Sequence, residues 1–91
     1  MASTRVFYAG NVQGVGFRYT VKQIAKGFEV TGSVRNLGDG RVELQANGEP
    51  GELAAFIEAI TQSELRAHIR EQTETPLAEP VVAHGFEIRH E

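Results

Sequence analysis

Three glycines and an arginine lie close together near the start of the chain, in the segment Gly10-Asn11-Val12-Gln13-Gly14-Val15-Gly16-Phe17-Arg18. Glycines let successive backbone N–H groups turn toward one point, and a helix that follows adds its unpaired N–H groups and its positive dipole end. An arginine in the first helical turn can hold two phosphate oxygens at once. The segment therefore predicts a site for a phosphate-like anion. A tight turn that merely joins a strand to a helix would use the same glycines, so the residues alone leave both interpretations open.

The common nucleotide-binding loops do not fit this segment. A dinucleotide fingerprint that starts at Gly14 would require glycine at position 19, where the chain has Tyr19. A Walker loop that starts at Gly10 or Gly14 lacks the Gly-Lys-Ser/Thr ending. The predicted ligand is therefore a small anion and not a nucleotide held by one of these two loops.

Hydrophobic periodicity and turn residues divide the chain into seven elements. Apolar residues at helical spacing predict two helices, and alternation of apolar and polar residues predicts strands. In chain order we predict a strand over 4–10, a helix from Phe17 that stops at Gly27, strands over 29–36 and 41–46 joined by the turn 37–40, a helix over 50–63, an edge strand or a loop over 67–74, and a closing strand over 85–89.

This order of elements, β-α-β-β-α-β-β, is typical of an α+β sandwich with the ferredoxin-like plan. We expect a mostly antiparallel sheet with two helices on one face. With 91 residues the chain is too short for a second hydrophobic core, so we expect a single domain over residues 1–91.

Composition limits the possible environment of the protein. The chain has no cysteine, which excludes disulfides, thiolate catalysis and zinc sites with sulfur ligands. No apolar run approaches the ~18 residues of a membrane span, and the first residues do not lead into a secretory signal. We therefore expect a cytoplasmic protein that does not bind membranes. Because no surplus apolar face is evident, we expect a monomer, although the sequence leaves open a dimer through the weak segment 67–74.

Charge is unevenly distributed along the chain. Residues 1–46 carry six basic and three acidic side chains, whereas residues 47–91 carry three basic and nine acidic ones. The overall net charge of −3 disfavours binding to a nucleic-acid backbone, which needs a basic face. An RNA-recognition domain with the same plan is also disfavoured, because its basic and aromatic stacking residues are missing. We expect no nucleic-acid partner, although the positive first half can hold one small anion.

Two motifs together resemble those of the acylphosphatase family. The first is Val12-Gln13-Gly14-Val15-Gly16-Phe17-Arg18, and the second runs through Gly32-Ser33-Val34-Arg35-Asn36 to Gly38-Asp39-Gly40-Arg41-Val42-Glu43. The resemblance extends over essentially the whole chain, including the closing Phe86-Glu87-Ile88-Arg89. It implies the ferredoxin-like fold and a hydrolase that cleaves small acyl phosphates to carboxylate and inorganic phosphate. It also implies no metal, no cofactor and no covalent intermediate.

The same resemblance implies roles for particular residues. Arg18 matches the substrate-binding arginine of the family, and Asn36 matches the asparagine that orients the attacking water. The expected phosphate-binding backbone amides are those of Gln13, Gly14, Val15, Gly16 and Phe17. Inorganic phosphate is then both product and competitive ligand. A carboxamide suits the role of Asn36, because it offers a donor and an acceptor and does not titrate.

Other polar residues have simpler explanations. The three histidines, His68, His84 and His90, are scattered without metal-ligand spacing, so we expect no metal site. Asp39 fits a turn role, and Arg35 and Arg41 are expected as exposed strand charges that can still raise the local positive potential. The five phenylalanines are expected in the core.

The sequence leaves two classes of function open. One is an acylphosphatase, and the other is a non-catalytic module on the same fold, such as an anion sensor. The chain departs from the family pattern at Asn11, where a basic residue is frequent, at Ser33, which is often aromatic, and at Gln62-Ser63-Glu64, where a Gly-Pro pair is common. None of these departures affects Arg18 or Asn36.

Overall fold

Within residues 1–90, which a computed structural model describes, the chain forms five strands and two α-helices in the predicted order. A short 3-10 helix precedes the fourth strand. The elements are β1 (Ala2–Gly10), α1 (Phe17–Ala25), β2 (Val30–Asn36), β3 (Val42–Gly48), α2 (Pro50–Thr61), the 3-10 helix (Glu64–His68), β4 (Ile69–Pro76) and β5 (Phe86–Arg89).

The strands form one sheet in the order β4-β1-β3-β2-β5, which both helices cover on one face. All neighbouring pairs are antiparallel except β2 and β5, which are parallel. The predicted α+β ferredoxin-like sandwich is therefore confirmed. Most of the segment 67–74, predicted as an edge strand or a loop, is the edge strand β4, which pairs with β1, whereas residues 67–68 end the 3-10 helix.

The topology brings the C-terminal ends of β1, β2 and β5 to the same end of the sheet. Because β1 and β2 both run antiparallel to β3, they run parallel to each other, and β5 runs parallel to β2. Gly10 at the end of β1 and Asn36 at the end of β2 therefore lie at the same end. Arg35 is paired with Arg89, so His90 follows β5 next to Asn36.

The core lies between the sheet and the two helices. The fully buried apolar residues come from alternate positions of the strands and from one stripe of each helix, including Val6, Tyr8, Val34, Leu44, Phe17, Val21, Phe56 and Ile60. Within residues 1–90, neither helix is long and apolar enough to cross a membrane.

Phe7 is the one phenylalanine for which the expected core position is wrong. Side chains alternate across a strand, so Phe7 points away from the helices while its neighbours Val6 and Tyr8 point toward them. The guanidinium groups of Arg5 and Arg41 lie over the Phe7 ring, at 5.0 and 4.4 Å from its centroid. This cation–π packing covers the ring on the open face of the sheet.

Candidate active site

A glycine-rich loop of residues 11–16, called here the glycine loop, joins β1 to α1. Gly14 and Gly16 have φ angles of 79° and 76°, in the left-handed region that residues with a Cβ rarely adopt. A Cβ at either position would meet no atom within 4 Å. The loop therefore needs these glycines for their backbone conformation and not for lack of space.

The glycine loop and the start of α1 present a series of backbone donors. Gly16 is the N-cap of α1, and it supplies no capping side chain. Within residues 1–90, the backbone N–H groups of residues 13–18 have no hydrogen-bond acceptor in the protein. Such a set of unpaired donors at a helix N-terminus favours an anion.

The side chain of Phe17 anchors the start of α1, and with it these backbone donors, to the hydrophobic core. Its side chain is buried, and its ring packs on that of Tyr8 with centroids 5.0 Å apart. Because Tyr8 belongs to the central part of the sheet, this contact fixes the first turn of α1 relative to β1. The backbone donors are thus attached to the rigid core.

A cavity of about 470 Å³ opens above the glycine loop. It is lined by residues from the loop, the first turn of α1 and the ends of β2 and β5, namely Val12, Gly14, Gly16, Phe17, Arg18, Tyr19, Asn36, Ile88 and His90. Of the residues expected at the site, the cavity brings together Gly14, Gly16, Phe17, Arg18 and Asn36. Gln13 and Val15 belong to the glycine loop but do not line the cavity.

Arg18 brings a positive charge to the cavity. Within residues 1–90 it forms no salt bridge, and its Nη1 lies 3.4 Å from Nδ1 of His90. The first turn of α1 contains no acidic residue. The guanidinium and the positive end of the helix dipole therefore act in the same direction, and both attract an anion.

The two arginines that flank Asn36 in sequence are neutralised. Arg35 pairs with Glu43 at 2.7 Å, and Arg41 pairs with Asp39 at 2.8 Å. Neither arginine lines the cavity. The predicted exposed strand charges are thus found only in part, because both side chains are partly exposed and Arg41 lies just before β3 and not in a strand.

Asn36 ends β2 at the cavity, opposite Val42 of β3. Within residues 1–90, its side chain forms no hydrogen bond with the protein. Both the carbonyl acceptor and the amide donor of the Asn36 carboxamide are thus available to a ligand or to water.

The hairpin that carries Asn36 is closed by a tight turn. The backbone N–H of Leu37 donates to the carbonyl of Arg41 at 2.8 Å, and that of Gly40 donates to the carbonyl of Leu37 at 3.2 Å. Asp39 accepts hydrogen bonds from the backbone N–H and from Nε of Arg41, which lower the pKa of its carboxyl. The turn role predicted for Asp39 is confirmed.

Four residues that line the cavity were absent from the predicted site, namely Val12, Tyr19, Ile88 and His90. Tyr19 had a usable signal, because it is the residue after Arg18 in the first turn of α1. Ile88 and His90 had none, since their positions depend on the parallel pairing of β5 with β2. Within residues 1–90, no group of three His, Asp or Glu side chains is placed to hold a metal ion.

Comparison with known proteins gives a consistent result. A family model described as Acylphosphatase matches residues 4–88. An acylphosphatase of Haloarcula marismortui is 40% identical over 91 residues, which cover 98% of this chain and 99% of the relative. The crystal structure of acylphosphatase from Bacillus subtilis matches with a TM-score of 0.88 and 35% identity, over 98% of this chain and 99% of that one.

The same fold also occurs within a larger protein. The crystal structure of T. kodakarensis HypF matches with a TM-score of 0.83 and 28% identity, over 100% of this chain but only 12% of that one.

The family resemblance seen in the two sequence motifs is confirmed by the family model and by relatives aligned over nearly the whole length. The chain is thus an enzyme of the acylphosphatase family.

Proposed function

We propose that the chain hydrolyses the carboxyl–phosphate bond of small acyl phosphates through the cavity between the glycine loop and Asn36. The observation that carries this proposal is that the glycine loop, the Arg18 guanidinium and the Asn36 carboxamide meet around one cavity. Within residues 1–90, the loop amides and the carboxamide have no hydrogen-bond partner, and the guanidinium forms no salt bridge. Their chemistry matches the three requirements of the reaction: to hold a phosphoryl group, to balance its charge and to place a water.

The phosphoryl group binds to the backbone N–H groups of residues 13–17 and to Arg18. An acyl phosphate already has a good leaving group, so catalysis requires mainly positioning and stabilisation of the equatorial phosphoryl oxygens. Backbone donors and a guanidinium achieve this without moving a proton. They hold the product, inorganic phosphate, in the same place, which makes phosphate a competitive inhibitor.

The attacking water is oriented by Asn36. The carbonyl of the carboxamide accepts a hydrogen bond from the water, and its NH₂ group can donate to a phosphoryl oxygen. As the new bond from the water oxygen to phosphorus forms, the bond from phosphorus to the acyl oxygen breaks and the carboxylate leaves with the electron pair. The proton of the water passes to a phosphate oxygen. This reaction involves no metal and no covalent enzyme intermediate.

This proposal is tested by the hydrolysis of benzoyl phosphate in the presence of a metal chelator. We expect turnover without added metal, competitive inhibition by inorganic phosphate, and a rate without a sharp dependence on one protein group near neutral pH. A protein that binds phosphate but hydrolyses nothing would support the alternative of a non-catalytic anion-binding module. Loss of turnover on chelation would overturn the metal-free mechanism. The cytoplasmic location and the monomeric state stay predictions from the sequence.

A further inference from the structure

The side chain of Gln13 joins the glycine loop to the hairpin that carries Asn36. Its Nε2 lies 2.8 Å from the carbonyl oxygen of Leu37 and 3.0 Å from that of Arg41. A primary amide has two hydrogens, and the two carbonyls can each accept one of them. Within residues 1–90, these are the only hydrogen bonds between the glycine loop and residues 36–41.

The two carbonyls lie where the hairpin turn closes. The backbone N–H of Leu37 donates to the carbonyl of Arg41, so Gln13 binds a pair of residues that already bind each other. Leu37 directly follows Asn36 in the chain. A displacement of the hairpin relative to the glycine loop would therefore move the backbone of Asn36 relative to the loop amides.

The other end of the glycine loop is attached to a different part of the fold. The backbone N–H of Asn11 donates to the carbonyl of His68 at 3.0 Å, next to the edge strand β4. This bond does not involve the hairpin. Among the hydrogen bonds of residues 1–90, only those of Gln13 set the position of the hairpin turn against the loop.

We propose that Gln13 is a positioning residue for hydrolysis, which acts by setting the distance and angle between the loop amides and Asn36. The inference rests on the proposed function. Gln13 does not line the cavity, so its side chain acts through Asn36 and not on the substrate. The phosphoryl group binds to the loop and Arg18 whether or not Asn36 is aligned, whereas attack by the oriented water needs that alignment.

The first test is the variant Gln13→Met, which keeps the length of the side chain and removes both donors. We expect kcat for benzoyl phosphate to fall by about 10- to 100-fold, the scale of a misplacement near 1 Å. The inhibition constant for inorganic phosphate should change by less than about 3-fold, because the loop amides and Arg18 supply most of the proposed phosphate contacts and stay in place. Gln62→Met is the matched control, since Gln62 is an exposed residue at the end of α2, and it should leave both constants unchanged.

The second test is a double-mutant cycle with Asn36→Ala. If Gln13 acts through Asn36, Gln13→Met causes no further loss of kcat once Asn36 is alanine. Losses that multiply in the double variant would overturn the proposal, and so would an equal loss of phosphate binding or an unchanged kcat. Gln13→Leu is of similar size, has no donors and adds no charge, and it serves as the second variant if Gln13→Met does not fold. A wild-type protein without hydrolytic activity would instead contradict the proposed function itself.

Discussion

Arg18 and Asn36 line one cavity but reach it from different elements, because Arg18 lies in the first turn of α1 and Asn36 ends β2. Arg18 extends the series of backbone donors at the helix start, whereas the Asn36 carboxamide is separate from that series. We therefore propose that Arg18 binds the phosphoryl group and that Asn36 places the attacking water. Variants of the two residues should therefore fail in different ways.

Arg18→Gln should lose phosphate binding and turnover together. Glutamine keeps a polar side chain but removes the charge, and a hydrogen bond to a charged group contributes about 1.5–3 kcal/mol. We expect inorganic phosphate to inhibit about 10- to 100-fold more weakly, with a fall in kcat/KM of at least that size. Lys22→Gln is the control for loss of a positive charge from α1, because Lys22 does not line the cavity. Unchanged inhibition by phosphate in Arg18→Gln would remove Arg18 from the site.

Asn36→Ala should keep phosphate binding and lose turnover. Alanine removes the carboxamide that orients the water, and the loss of one aligned group lowers kcat by on the order of 10²-fold or more. Because the loop amides and Arg18 are untouched, the inhibition constant for inorganic phosphate should stay within about 3-fold of the wild-type value. Steady-state kinetics with phosphate as inhibitor measures both quantities. A fully active Asn36→Ala enzyme would overturn the water-orienting role.

Gly32→Ala should destabilise the sheet beside the site. A Cβ at Gly32, where φ is 152°, would clash with the carbonyl of Gln45 and lie 2.8 Å from the Cα of Ala46, so β2 and β3 would have to separate. We expect a loss of about 2–4 kcal/mol in the free energy of unfolding. Gly51→Ala is the control, because a Cβ there meets nothing within 4 Å in the first turn of α2. Urea denaturation should show that Gly51→Ala is as stable as the wild type or about 0.5 kcal/mol more stable. Equal stability of the two variants would contradict the close β2–β3 contact.

Tyr8→Phe should stabilise the protein and change its response to alkaline pH. Within residues 1–90, the buried Tyr8 hydroxyl has no hydrogen-bond partner, so its removal should add about 1 kcal/mol to the free energy of unfolding. Burial raises the pKa of the Tyr8 phenol above its ordinary value, and the charge of Glu74 raises it further.

The sign of the alkaline effect follows from the raised pKa of Tyr8. Above pH ~10 the unfolded chain releases this phenol proton while the folded protein keeps it, so unfolding becomes easier as the pH rises. Below pH ~10 the Tyr8 phenol does not lower the free energy of unfolding. Above pH ~10 it does so in the wild type, whereas Tyr8→Phe has no phenol to titrate and lacks this decrease. Urea denaturation at several pH values between 7 and 11 measures the difference. A steeper alkaline loss in Tyr8→Phe than in wild type would contradict the assignment.

The fold could be predicted because its signals are local. Helical spacing from Phe17 and from Pro50, alternation along β3 and a tight turn after Asn36 each appear within a few residues of sequence. Once the ferredoxin-like plan follows from their order, Gly10 and Asn36 must lie at the same end of the sheet. The sequence therefore predicts that the glycine loop and Asn36 lie close together.

The remaining parts of the site depend on non-local geometry. His90 reaches the cavity only because β5 pairs in parallel with β2, and no local pattern specifies that partner or its register. The Gln13 side chain binds two backbone carbonyls. Because every residue type has a backbone carbonyl, no sequence motif predicts this contact. Phe7 was misplaced because β1 carries apolar residues on both faces, so its hydrophobicity did not identify the buried face.

The proposed mechanism requires the phosphoryl group to bind to the loop amides next to Asn36. Titration of the ¹⁵N-labelled protein with inorganic phosphate locates the bound anion. We expect the largest shifts at the backbone N–H groups of residues 13–18, with a smaller shift of the Asn36 side-chain NH₂ group. Shifts confined to Lys22 and Lys26, where a second and smaller cavity lies, would contradict it.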